Sequence, residues 1–432
     1  MPAIRDPQET DPVPSHLPFP SVIVQCSNHI HETTFDLLTS VSGDTKRMDP
    51  LRKISDTIAR LAALKTLHGH RHSTTGSAPD SLPQLTGFGS NPGALNGRYR
   101  LPAQLRDGAP LVVVLHGCTQ TAAAYDHHSG WSQLAEEAGF ALLYPEQQRG
   151  NNPNLCFNWF LPADTRRDAG EALSIRQMID AMVARHGIDG DRIFVTGLSA
   201  GGAMAATMLA THPEVFAGGA IIAGLAHGSA RTVPEAFDRM RGHGLPSEAT
   251  LQNLLRDASD HRGTWPKISI WQGTADQTVA ATNAQALAAQ WRGVHGLDEE
   301  PTFSRASGAL AKHVWSDIEG DAVLEINMIA GMGHGTPLAP GLGAPGPYML
   351  DVGVSSTRAI ADFWGIAQAR TDSRTASAQP RSVVPYDARP DAREQSRQAR
   401  SEADTPPASS SAGASGIQKT IEDALRAAGL MR

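Results

Sequence analysis

The stretch "VTGLSAGGAM" (195–204) sets a lone serine, Ser199, between Gly197 and Gly201, directly after a short apolar run. A serine hydroxyl adds to a carbonyl only when a base takes its proton and a carboxylate orients that base. Gly-x-Ser-x-Gly between a strand and a helix presents such a serine, because small neighbours let the two elements approach closely. "RIFVTG" (192–197) reads as the strand and "AGGAMAATMLATHP" as the helix. A Gly-rich packing turn is the plain alternative, so the partners have to decide. Where a strand–turn–helix carries the nucleophile, the chain order is nucleophile, acid, histidine, with the last two on loops after later strands. Asp276 in "WQGTADQTV" directly follows the apolar run 267–272, and His334 in "IAGMGHGTPL" directly follows the run 323–329. Asp298, Glu299 and Glu300 in "HGLDEEP" read as a solvated turn. His295 and His313 read as ordinary exposed histidines in polar connecting segments. By position, Asp276 and His334 are the expected acid and base.

Acyl chemistry also needs two backbone N–H groups aimed at the developing oxyanion. The residue after the nucleophile, Ala200, supplies one. The loop after the early strand, "VVVLHGCTQ", supplies the other, with Cys118 as the expected donor. His116 in that loop falls at the wrong place in the chain for the base and is read as holding the loop's shape. Cys156, in "NNPNLCFNWF", sits on the loop after the next strand and near the same mouth. A Cys118–Cys156 disulfide and a pair of reduced thiols are equally open at this point. Trp159 and Phe160 on the same loop are candidate substrate contacts, with core packing the alternative for each.

The elements that must position these groups are legible as alternating runs. "LVVVL" (111–115), "FALLYP" (140–145), "RIFVTG", "GGAIIAG" (218–224), "KISIWQG" (267–273) and "VLEINMIAG" (323–331) read as strands. Several are apolar throughout, as parallel strands covered on both faces require. In "GEALSIRQMIDAMVARHG" Ile175, Met178, Ile179, Met182 and Val183 make one helical face, and Gly187 supplies the stop. Strand–helix alternation of this kind implies an α/β fold with a doubly wound, mainly parallel sheet and flanking helices. Outside it, residues 1–47 read as a disordered head and 48–66 as an amphipathic helix, with Met48 an alternative translation start. Residues 367–415 read as a disordered linker and 416–432 as a short helix.

The totals exclude several classes. A formal net charge of −7 without a basic block argues against nucleic acid as a partner. No run approaches the roughly 18 apolar residues of a membrane-spanning helix. Three cysteines, Cys26, Cys118 and Cys156, make no disulfide framework and lack zinc-site spacing. No metal or organic cofactor is implied. The first twenty residues carry acids and prolines and lack the apolar core of a secretion signal, which by sequence alone assigns the chain to the cytoplasm.

Six blocks occur in order: "LHGCTQTAAAYD", "YPEQQRGNNPNLCFNWF", "GEALSIRQMIDAM", "GLSAGGAMAATMLATHPEVFAGGAIIAG", "GTADQTVAATNAQALAAQW" and "GMGHGTPL". Together they resemble the poly(3-hydroxybutyrate) depolymerase family of esterases over residues 85–366. The resemblance implies an α/β-hydrolase domain, a Ser199–Asp276–His334 triad, and Cys118 at the oxyanion hole. It implies a serine esterase that cleaves short-chain hydroxyalkanoate esters in polymers or oligomers, through an acyl-enzyme. Relatives of that family act on feruloyl and acetyl-xylan esters, and family members are often secreted to the extracellular region. The polar tail after residue 367 is too short for the separate substrate-binding module of the secreted polymer degraders, which favours soluble oligomers or small esters. Two further readings are an acyltransferase on the same fold and a non-catalytic protein that binds polyester granules through its terminal helices. The sequence assigns no oligomeric state.

Overall fold

The computed structural model describes residues 82–367. The expectations for residues 1–47, 48–66, 367–415 and 416–432, and for Met48 and Cys26, lie outside the described residues, Ala367 alone excepted. In chain order come β1 (Gln84–Leu85), β2 (Asn96–Arg100), β3 (Ala109–Leu115), α1 (Ala122–Ser129) and α2 (Trp131–Ala138). Next are β4 (Ala141–Glu146), the short α3 (Pro162–Thr165), α4 (Gly170–His186), β5 (Ile188–Leu198) and α5 (Ala200–Thr211). β6 (Gly218–Ile222), α6 (Val233–Met240), α7 (Glu248–Arg256), β7 (Lys267–Gly273) and α8 (Thr282–His295) follow. The last elements are β8 (Phe303–Ser307), β9 (Leu310–Ser316), β10 (Ala322–Ile329), β11 (Thr336–Leu338), β12 (Met349–Asp351) and α9 (Ser356–Phe363).

Ten strands form one sheet in the order β1-β2-β4-β3-β5-β6-β7-β10-β9-β8. The six interior strands, β4 through β10, are mutually parallel, and both margins turn antiparallel. Each of the six apolar runs read from the sequence is an interior strand. Side-chain alternation sorts them onto two cores. Val112, Val114, Leu142 and Tyr144 pack with Trp131, Ile360 and Trp364 on one face. Leu111, Val113, Leu115 and Leu143 pack with Ile175, Met178, Met204 and Met208 on the other. Helices therefore cover both faces, and the apolar runs are explained: no interior strand has a wet side.

The margins correct two expectations. His313, read as exposed in a connecting segment, lies on β9 opposite Ile326, half-buried, with its Nδ1 2.8 Å from Ser304 Oγ. His295, read the same way, ends α8, and its Nε2 lies 3.2 Å from the carbonyl of Pro266. Burial pushes its imidazole down to about 4. Strands β2, β8 and β9 are polar or mixed in composition, so no apolar run marked them. No helix among the described residues is long and apolar enough to cross a membrane.

Candidate active site

Because β5, β7 and β10 run parallel, the loops after them open on one edge of the sheet, where open α/β sheets bind ligands. Ser199 sits between β5 and α5 with φ 58° and ψ −119°, a conformation that non-glycine residues rarely adopt. Its N–H donates to the carbonyl of Ile222 on β6 (2.9 Å), and its side chain makes no capping bond to α5. Two glycines make the turn sterically feasible. A Cβ at Gly197 would overlap the carbonyl of Gly201, and one at Gly201 would overlap the carbonyls of Leu115 and His116. The helix that follows is built of Ala, Gly, Met, Thr and Leu, and all twelve of its residues are buried. A helix apolar on every side belongs in the middle of a core.

Asp276 and His334 meet. His334 Nδ1 lies 2.7 Å from Asp276 Oδ2, and the carboxylate side chain is fully buried. The other oxygen, Oδ1, accepts the N–H groups of Thr278 and Val279 at 2.8 Å each. Gln272 Nε2, at the end of β7, donates to Oδ2 (3.1 Å) and to the carbonyl of Val279 (3.0 Å). Gln272 was not read from the sequence. Hydrogen bonds to a charged acceptor are stronger than neutral ones, and here they fix the carboxylate's plane. The ring of Tyr348 stands edge-on to His334, centroids 6.0 Å apart, on a backbone with φ 62°. It too carries no motif in the sequence.

The loop after β3 faces the elbow. The Gly117 N–H donates to Gln120 Oε1 (2.8 Å), and the Thr119 N–H donates to the carbonyl of Asn154 (2.7 Å). Between them, the Cys118 N–H has no acceptor among the described residues. Ala200 N–H, at the first position of α5, is one of the donors every helix start leaves without an intrahelical partner. His116 is buried, its Nδ1–H donating to the Gly117 carbonyl (2.8 Å) and its Nε2 accepting the Gln147 N–H (3.1 Å). Burial lowers its pKa, and hydrogen bonds occupy both ring nitrogens. Cys118 and Cys156 are joined by a disulfide, Cα atoms 4.2 Å apart.

Trp159 and Phe160 lie together, rings 5.4 Å apart and edge to face. Trp159 is buried in a small apolar cluster with Ala200, Ala203, Leu225, Ala236 and Val279, and Phe160 and the disulfide sulfurs pack against it. The cluster thus joins the residue after Ser199 to the residue three past Asp276. Among the described residues, no three His, Cys, Asp or Glu side chains gather as a metal ion would require. An open groove of about 420 Å³ lined by His295, Asp298, Glu300, Trp315 and Asp317 lies elsewhere. Ser316 pairs with Ala322, the first residue of β10, so that groove is at the opposite end of the sheet from His334.

An acetyl xylan esterase from Aspergillus awamori superposes with a TM-score of 0.58 at 24% identity, over 66% of this chain and 99% of that one. Poly(3-hydroxyalkanoate) depolymerase C of Paucimonas lemoignei is 46% identical over 300 residues, 68% of this chain and 72% of its own length. Feruloyl esterase B of Neurospora crassa is 33% identical over 270 residues, 60% of this chain and 89% of that protein. These likenesses define a carboxylic ester hydrolase on the α/β-hydrolase fold. Residues 97–315 match the family described as Esterase PHB depolymerase, and the chain belongs to that family.

Proposed function

We propose that the chain is a serine esterase that hydrolyses short-chain hydroxyalkanoate esters, polymeric or oligomeric, through an acyl-enzyme on Ser199. The observation that carries the reading is the 2.7 Å contact between His334 Nδ1 and a fully buried Asp276, at the edge where Ser199 stands on its positive-φ turn. With Nδ1–H held by the carboxylate, Nε2 is the free base. His334 Nε2 takes the Ser199 proton as Oγ adds to the ester carbonyl. The N–H groups of Cys118 and Ala200 hold the tetrahedral oxyanion. Collapse expels the alcohol, which leaves with the proton from His334. Water then attacks the acyl-enzyme, giving its proton to His334 and, on collapse, releasing the acid and restoring Ser199.

The hydroxyalkanoate substrate is supported by the relative at 46% identity, named for poly(3-hydroxyalkanoate). Trp159 and Phe160 form the acyl-side wall in this reading, since their cluster contains Ala200. Ser199→Ala is expected to abolish hydrolysis of p-nitrophenyl butyrate while its circular dichroism and melting transition stay those of the parent. Near-parental turnover in that variant would sink the assignment. Turnover of amorphous polyhydroxybutyrate, its soluble dimers, a feruloyl ester and an acetylated xylan, measured side by side, tests the substrate class. The expected order puts the hydroxybutyrate esters first, and feruloyl or acetyl preference overturns it.

A further inference from the structure

We propose that Glu171, in the first turn of α4, is a positioning residue for ester cleavage that holds the oxyanion loop and the aromatic wall in one register. The inference rests on the catalytic reading above.

Glu171 has no solvent exposure, and both of its carboxyl oxygens are engaged. Oε1 accepts from Gln147 Nε2 (2.6 Å), and Oε2 accepts the backbone N–H of Asn158 (2.9 Å). Each contact leads to one side of the mouth. Gln147 gives its backbone N–H to His116 Nε2, and the opposite nitrogen of that ring holds the carbonyl of Gly117, the residue before Cys118. Gln147 Nε2 also donates to the carbonyl of Cys156 (3.0 Å). Asn158 is the residue before Trp159, and its Oδ1 accepts from Asn152 Nδ2 (3.0 Å). Asn152 Oδ1 in turn accepts the N–H groups of Asn154 and Cys156.

The segments 116–121 and 147–158 contain no helix or strand, so side chains must satisfy their backbone groups. One rigid element, α4, does this through a single acid for both segments, directly or through one residue. The Cys118–Cys156 disulfide ties the same two segments at the surface, and Glu171 ties them from beneath. A group that fixes both segments fixes the Cys118 N–H relative to Trp159. A displacement of an oxyanion donor weakens transition-state binding more than substrate binding.

Glu171→Gln preserves volume but turns an N–H toward a partner that also donates. The measurement is made per active site, counted by titration with a fluorophosphonate. The expected result on p-nitrophenyl butyrate is a kcat about tenfold lower with KM within about twofold of the parent. Affinity for phenylboronic acid, which forms a tetrahedral adduct on serine, is expected to fall by a similar factor. A residue that only stabilises the fold would lower yield or melting temperature while leaving kcat per titrated site and boronate affinity unchanged, and that outcome overturns the proposal. Should Glu171→Gln fail to fold, Gln147→Met cuts the same link from the other side and is judged by the same constants. A parent enzyme whose Ser199 does not titrate overturns the proposed function instead, so the two failures are distinct.

Discussion

Asp276 gathers the hydrogen bonds of the site, and Gln272 shapes it without belonging to any motif. Its Nε2 spans Asp276 Oδ2 and the carbonyl of Val279, closing the turn that delivers the Thr278 and Val279 N–H groups to Oδ1. Gln272→Leu removes that closure from a buried position while keeping the strand. On the proposed mechanism kcat should fall about tenfold, equivalent to ~1.4 kcal/mol of barrier, with little change in KM. Steady-state kinetics on p-nitrophenyl butyrate decide it, and an unchanged kcat removes Gln272 from the account. Ser199, Asp276 and His334 are conspicuous because each follows an apolar run and their order matches the order of roles. Cys118 and Cys156 left two states open because a separation of 38 residues carries no distance. Gln272 and Glu171 carried no signal at all. Their roles arise from where β7 and α4 aim them, which pattern along the chain does not encode.

Among the elements, the elbow between β5 and α5 depends on close backbone approach more than on any side-chain contact. The missing Cβ at Gly201 leaves room for the carbonyls of Leu115 and His116, which belong to the end of β3 and the loop after it. Those are backbone atoms of buried residues and cannot swing aside as a flexible side chain would. Gly201→Ala should therefore cost about 1–3 kcal/mol of stability through overpacking. It should also push the loop carrying Cys118 away from Ser199, so kcat per titrated site falls as well. Urea denaturation with active-site titration separates the two effects, and a variant with parental stability would refute the close-approach account. Elements were readable in proportion to their burial. Interior strands are apolar on both faces and stood out as continuous runs. Strand β2 ("NGRYR") and strand β8 ("FSRAS") are polar margins, the latter exposed along its length, so only pairing with a neighbour identifies them as strands.

For the whole molecule, buried ionisable groups pull stability in opposite directions as pH changes. Burial pushes His212, His227 and His295 down to about 4, so they stay neutral in the fold while the unfolded chain protonates near 6.5. Between those values the unfolded state binds more protons, and stability rises with pH. Glu171 works the other way. Burial, with the nearby Asp164 carboxyl adding to it, pushes its pKa up to about 8 from a reference of 4.5. Between 4.5 and 8 the folded state holds the extra proton, so its contribution is complete below 4.5 and is lost as pH rises through 8. Each such proton is worth at most about 1.4 kcal/mol per pH unit. Below pH 6.5 these three histidines, joined by the buried His116, oppose one glutamate, and the histidines dominate. Well above pH 6.5 the unfolded histidines too have lost their protons, and the glutamate acts alone. The stability of the parent should therefore peak near pH 6.5–7 and decline on both sides, as urea midpoints measured from pH 5 to 9 would record. Glu171→Gln starts lower, having lost a hydrogen bond, but should lack the alkaline decline. Parallel slopes for the two proteins between pH 7 and 8.5 would show that Glu171 is already ionised in the fold, its two N–H donors and not its burial deciding its charge.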